Sequence, residues 1–281
     1  MKTIRLTMSQ ALVKFLIAQK IEINGEVQPV FAGMFAIFGH GNVAGIGEAL
    51  YQVKEQLPTL RAHNEQGMAH AAIAYAKANN RQRMMACTTS IGPGAANMIT
   101  AAALAHANRL PVLLLPGDTF ANRTPDPVLQ QLEHFNDPTI STNDCFRPVS
   151  RYFDRITRPE QIINSLPVAM QTLLDAEICG PVTIALCQDV QAEAYDYPES
   201  FFAETIHRQR RQSADEYELQ RAVELLQKAE RPLLISGGGV HYSNATQQLL
   251  DFAKATGIPV AETQAGKGSM PWNHPNYVGS I

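Results

Sequence analysis

MMACTTSIGPGAANMITAAALAHANRLPVLLLPGD, residues 84–118, decides the fold. Met84 to Thr89 is a short apolar run bounded by a turn, the signature of a buried strand. Ile91-Gly92-Pro93-Gly94 is that turn, and Ala95 to Asn108 is an Ala-rich helix. Pro111 to Leu115 is a second buried strand and ends at Pro116-Gly117-Asp118. A strand, a helix and a strand in close succession form the crossover unit of a parallel sheet.

Upstream the pattern repeats. Glu65 to Ala78 reads as a helix with Met68, Ala72 and Tyr75 on one side, and Val43 to Leu57 as another. Gly33 to Phe38 is a buried strand breaking into the loop Gly39-His40-Gly41-Asn42. Thr7 to Lys20 is helical, with Thr7 and Gln10 at capping-box spacing and Ala11, Leu12, Phe15 and Leu16 on one face. Downstream, helix Pro159 to Ala176 and strand Val182 to Leu186 close the block. Residues 1–190 are therefore expected to form an α/β domain, a parallel sheet flanked by helices. In such sheets ligands bind beyond the carboxyl ends of the strands. The loops at His40, Ile91 to Gly94 and Gly117 occupy those ends.

Residues 191–214 are polar and charge-rich, with His207-Arg208-Gln209-Arg210-Arg211, and read as a solvated linker. A second α/β unit follows over 215–281: helix Asp215 to Ala229, strand Pro232 to Ser236, turn Gly237-Gly238-Gly239, helix Asn244 to Thr256 and strand Pro259 to Glu262. Two strands are too few to close a sheet, so this unit is expected to be the N-terminal part of a truncated domain.

The 281 residues carry a net charge of −3, 45% apolar and 17% charged residues, the composition of a globular protein with no electrostatic bias toward nucleic acid or anionic membrane. No apolar stretch approaches a membrane span, and Met1 to Gln10 has no signal-peptide core. A cytoplasmic location is the expectation. Cys87, Cys145, Cys179 and Cys187 form no CxxC pair and are expected to be reduced.

The residue types leave several chemistries open and close others. Gly237-Gly238-Gly239 fails the dinucleotide pattern, because Tyr242 stands where the third glycine belongs. His63, Glu65 and His70 match no standard metal spacing, and neither HExxH nor GxSxG occurs. Thr88 to Asn97 is either a plain turn or a loop whose glycines admit a flat ligand close to the backbone. Glu65 is either an acidic residue favoured by the helix dipole or a functional carboxyl.

Taken in order, Phe38-Gly39-His40-Gly41, Glu65-Gln66-Gly67 and Gly92-Pro93-Gly94 with Asn97 resemble the pyrimidine-binding domain of thiamine-diphosphate-dependent enzymes. Arg109 to Gly117 fits the same pattern. The resemblance covers Thr7 to about Val190, and from about Asp215 the chain resembles the family's central domain. It implies that Glu65 is catalytic and hydrogen-bonds N1′ of the aminopyrimidine. For that the carboxyl would be protonated and enclosed by apolar neighbours such as Met68 and Ala69. It further implies Gly39, Pro93 and Asn97 as cofactor contacts, and His40 and Gln131 as substrate contacts. The cofactors implied are thiamine diphosphate and Mg²⁺. The Gly-Asp-Gly to Asn-Asn motif that holds the metal lies in a C-terminal domain not found here, and Gly117-Asp118-Thr119 is no substitute, so no metal ligand is expected in this chain. By the same resemblance the full-length form is a homodimer or higher homo-oligomer. The chain is expected to be an N-terminal fragment, inactive alone.

Within the family, residues 38–43, 64–72, 115–120 and 125–131 are most similar to members that open a cyclic 1,2-diketone hydrolytically in inositol catabolism. Asn64 stands where acetolactate synthase-like members usually have His. Acetolactate synthesis, 2-oxo acid decarboxylation and a non-catalytic binding or dimerisation role remain alternatives.

Overall fold

In the computed structural model, which describes residues 2–125, 128, 129, 132, 134 and 136–281, the chain divides into two units, Met1–Gln209 and Arg210–Ile281. Strand β1 (Thr3–Thr7) runs straight into helix α1 (Met8–Ile17). Thr7 Oγ1 accepts from the Gln10 amide and Gln10 Oε1 from the Thr7 amide, the reciprocal cap expected from their spacing. The helix ends earlier than Lys20, because Gln19–Ile23 form β2, which pairs with β3 (Glu26–Pro29). Asn24 and Gly25 both adopt positive φ in the connecting turn, the geometry of a tight hairpin.

The main sheet begins with β4 (Phe31–Ala36). The stretch expected as one helix over Val43 to Leu57 is instead a π-helical turn, Val43–Gly47, leading into a short α2 (Glu48–Gln52). Then come β5 (Thr59–Arg61), α3 (Glu65–Ala78), β6 (Met84–Thr89), α4 (Pro93–Ala96), α5 (Ile99–Asn108), β7 (Val112–Asp118), β8 (Tyr152–Ile156), α6 (Ile162–Leu174) and β9 (Pro181–Cys187). The strands are ordered β5-β4-β6-β7-β9-β8 and every pairing is parallel. Every residue of β6, β7 and β9 is buried, as a sheet covered on both faces requires.

The segment read as a linker is largely part of this unit. Strand β10 (Ala194–Pro198) pairs antiparallel with β1, and β11 (Thr205–His207) parallel with β2. Its charges find partners there: Arg208 bonds Glu22 at 2.6 Å, and His207 Nε2 meets Gln19 Oε1 at 2.9 Å. Charge suggested solvent, but backbone pairing decides the structure.

In the second unit Asp215 caps α7 (Glu216–Lys228), and β12 (Leu234–Ser236), α8 (Gly239–Tyr242), α9 (Thr246–Thr256) and β13 (Val260–Glu262) follow. A third strand, β14 (Tyr277–Ser280), completes a parallel sheet of order β12-β13-β14. Two strands were expected; β14 is short and contains Gly279, which hid it. Buried Glu262 organises the loop after β13. Its Oε1 accepts from Ser269 Oγ (3.2 Å) and the Met270 amide (2.9 Å), and Ser269 meets Ser236 Oγ at 2.6 Å. Burial pushes this carboxyl up, but hydrogen bonds from Met270, Gly268, Ser269 and Tyr277 outweigh it and hold it below the usual carboxylate range. A lowered folded pKa contributes stability above the unfolded value, about 4.3, that is lost as pH falls through the folded value. Glu262→Gln should therefore cost about 1–3 kcal/mol at pH 7, with the difference narrowing in acid. Thermal melts of both proteins at neutral and acidic pH check this, and equal melting temperatures at pH 7 would refute it.

Among the described residues no helix is long and apolar enough to cross a membrane.

Candidate functional site

Three loops meet at the carboxyl ends of β4, β6 and β7, which are neighbours in the sheet. Register sets them side by side, with Ala36 opposite Thr88 and Thr89 opposite Pro116. The loop after β4 is shaped by Asn42, which is buried. Its Oδ1 accepts from the Gly39 amide (2.9 Å), and its Nδ2 donates to Ile37 O (3.2 Å) and Thr88 Oγ1 (3.3 Å). The Gly41 amide donates to Ser90 Oγ at 3.2 Å, which ties this loop to the one after β6. Gly39 packs against the same serine: a Cβ there would stand 2.6 Å from Ser90 Oγ.

The loop after β6 turns at Gly92, whose φ is +66°. Pro93 then occupies the first turn of α4, where its missing N–H costs nothing. The helix expected over Ala95 to Asn108 is broken. Helix α4 ends at Ala96, and α5 starts at Ile99. Asn97 sits in the break, and its Nδ2 donates to Glu65 Oε2 at 2.9 Å. Glu65 opens α3, capped by Asn64 Oδ1, which accepts from the Gly67 amide at 2.8 Å.

Gly94 lies between these groups. A Cβ there would stand 2.9 Å from Thr89 Oγ1 and 3.3 Å from Glu65 Oε1. The chain thus brings Glu65, Gly94 and Asn97 into one cluster, with Pro93 in the same turn and Gly39 on the adjoining loop. His40 follows Gly39; its ring Nε2 is buried and has no partner among the described residues. Gln131 and Asp126, Pro127 and Gln130 of the same segment lie outside the described residues.

One expectation changes. Met68 and Ala69 are buried, but Glu65 itself is only half-buried at the helix start, short of the apolar enclosure expected of it. Asp118, set aside as a metal ligand, is a buried structural residue. Its Oδ2 bonds Arg155 Nε at 2.7 Å, and its Oδ1 accepts from the Thr119 amide. Arg155 also reaches Asp144 (3.0 Å) and Ser141 Oγ (2.8 Å).

Among the described residues no three of His, Cys, Asp and Glu gather where they could hold a metal, His63, Glu65 and His70 included. All four cysteines are free, three of them buried. Burial pushes the Cys87 and Cys187 thiols up, which removes them as nucleophiles.

Arg155, Asn42, Ser90 and Gln191 were not singled out from sequence. Partners of Arg155, Ser90 and Gln191 lie up to 150 residues away, where no local pattern marks them, and Asn42 bonds both within its own loop and across to Thr88.

Gly94→Val should push its branched side chain into Glu65 and Thr89. Secondary structure should survive, and ligand binding at this cluster should fall by ten-fold or more, about 1.4 kcal/mol. Circular dichroism with a cofactor titration checks both, and normal affinity would favour a plain turn.

This arrangement belongs to a known class. The sequence model of the thiamine pyrophosphate enzyme N-terminal TPP binding domain matches residues 33–137, and that of the thiamine pyrophosphate enzyme central domain matches 219–281. The chain belongs to the thiamine pyrophosphate enzyme family. It is 54% identical over all 281 residues to the 3D-(3,5/4)-trihydroxycyclohexane-1,2-dione hydrolase of Geobacillus thermodenitrificans. The enzymes of that name from Listeria monocytogenes and Clostridium tetani are 52% and 51% identical, over 99% and 100% of the chain. In each case the chain spans 44% of the relative's own length.

Proposed function

We propose that this chain carries the ring-activating half of a thiamine-diphosphate-dependent hydrolase that cleaves a C–C bond of a cyclic 1,2-diketone, 3D-(3,5/4)-trihydroxycyclohexane-1,2-dione, in inositol catabolism, yielding 5-deoxy-glucuronate. The observation that carries this reading is the Asn97–Glu65 hydrogen bond of 2.9 Å beside Gly94 at the carboxyl edge of the sheet. Those residues fit an aminopyrimidine. A flat ring needs a surface without side-chain bulk, which Gly94 supplies, and a carboxyl beside it held at a fixed angle.

Asn97 holds Oε2 of Glu65 and leaves Oε1 on the side of Gly94. In this reading Glu65 holds a proton at ring atom N1′, and Pro93 stiffens the turn against which the ring rests. Gly39 brings backbone close to the same ligand, and His40 and Gln131 contact the substrate. When bound, thiamine diphosphate supplies the nucleophilic carbon and the electron sink for C–C cleavage. Mg²⁺ and the diphosphate are proposed to be held by residues of a further domain, in a cytoplasmic homodimer or larger homo-oligomer.

An enzyme of the relatives' full length that carries these residues tests the assignment. It should consume the cyclic diketone in a thiamine-diphosphate-dependent reaction. Turnover of pyruvate or another 2-oxo acid in its place would assign the acetolactate or decarboxylase reaction instead.

A further inference from the structure

One buried side chain fastens the loop that bears Gly39 and His40 to a strand far away in sequence. Gln191 lies just after β9 and is 1% exposed. Its Nε2 donates to Gly41 O at 2.7 Å and to Leu186 O at 3.1 Å, and its Oε1 accepts from the Ile46 amide at 3.3 Å. Gly41 belongs to the loop, Ile46 to the π-helical turn behind it, and Leu186 to β9. Gly45 makes room for the clamp: a Cβ there would stand 2.5 Å from Gln191 Cβ and Oε1.

We propose that Gln191 is the positioning residue that holds the His40 loop at the mouth of the cofactor site. The proposal rests on the thiamine-diphosphate reading above. The buried Nε2 of His40 has no partner among the described residues, so the place of the ring depends on the backbone on either side of it. Asn42 and Ser90 hold that backbone from the end of β6 and from within the loop, and among the described residues Gln191 is the side chain that ties it to β9. A buried amide that makes three hydrogen bonds has one geometry available. Its loss strands two carbonyls and one N–H away from water, and the loop relieves that cost by moving. A π-helical turn, which departs from the favoured helical pairing, gives way more easily than the sheet.

The test uses residues 1–281 as wild type, Gln191→Leu, Gly45→Ala and Glu65→Gln. Gln191→Leu keeps bulk and removes the hydrogen bonds, and Gly45→Ala presses on the clamp from the other side. Amide exchange over residues 39–47 should quicken roughly tenfold or more in both, with β6 and α3 unchanged. Thiamine diphosphate with Mg²⁺, titrated at millimolar levels and followed through the Asn97 side-chain amide by NMR, should bind about fivefold or more weakly in Gln191→Leu. Unchanged exchange over 39–47, exchange that quickens throughout the sheet, or quickened exchange with wild-type affinity would each overturn the proposal. Glu65→Gln separates the two levels. If it weakens binding while Gln191→Leu does not, only the role of Gln191 falls. If the wild type gives no Asn97 response, the cofactor reading falls with it.

Discussion

Glu65→Gln in an enzyme of the relatives' full length should lower turnover by roughly 10²–10⁴-fold and leave the fold unchanged, the usual loss when a positioned acid–base group is removed. The two side chains are nearly the same size, and an amide at this position still meets Asn97. It cannot, however, hold or pass a proton at N1′. Exchange of the C2 hydrogen of bound thiamine diphosphate for deuterium isolates the step, because it needs no substrate. Slow exchange with normal cofactor affinity is the expected pair of results. An exchange rate equal to that of wild type would end the catalytic assignment of Glu65 and leave it the favourable acidic residue that any helix start can carry. Asn97→Ala supplies an internal comparison. It removes the donor to Oε2 but keeps the carboxyl, so its effect should be clearly smaller.

Residues that act through their near neighbours were legible in the sequence. Helix α3 begins at Glu65 and ends at Ala78, and β6 spans Met84 to Thr89, as periodicity predicts. The capping box of Thr7 and Gln10 forms as their spacing requires. The hairpin at Asn24-Gly25 was equally legible and went unread, although Asn-Gly flanked by alternating apolar and polar residues is the strongest short signal of a tight turn. Strands β10 and β11 were not legible, because they exist through pairing with β1 and β2, which lie near the other end of the unit. Local charge said linker, and long-range backbone hydrogen bonds overrode it. The break between α4 and α5 belongs to the same category. Alanine favours a continuous helix there, but the i−4 pattern lapses just after Asn97, where the Met98 amide turns to Ala95 O, and the Asn97 side chain reaches Glu65, 32 residues back. The order of the three motifs pointed to the loops at the carboxyl ends of β4 and β6, whereas Ser90 and Gln191, which shape that edge, act between segments far apart in sequence and carry no local mark.

Residues 1–281 produced alone should show no hydrolase activity and bind thiamine diphosphate only weakly, roughly in the high-micromolar to low-millimolar range. The cluster described here offers a ring surface at Gly94 and one carboxyl, and a single hydrogen bond contributes about 1 kcal/mol net. A dissociation constant of 1 µM needs about −8.2 kcal/mol, and most of the cofactor's charge sits on the diphosphate. Among the described residues nothing gathers to receive a metal there, and Asp118 is already engaged by Arg155. The same polypeptide should self-associate. No residue of α7 is buried, and Leu225, Ile235 and Val278 are 63%, 57% and 57% exposed. Strand β12 lies at the edge of its sheet, where unpaired backbone groups template further pairing. Isothermal titration with thiamine diphosphate and Mg²⁺, alongside light scattering over a concentration series, measures both effects. Tight, magnesium-dependent binding by a monomer would mean that these residues hold the diphosphate themselves, and the division of labour proposed between this chain and a further domain would be wrong.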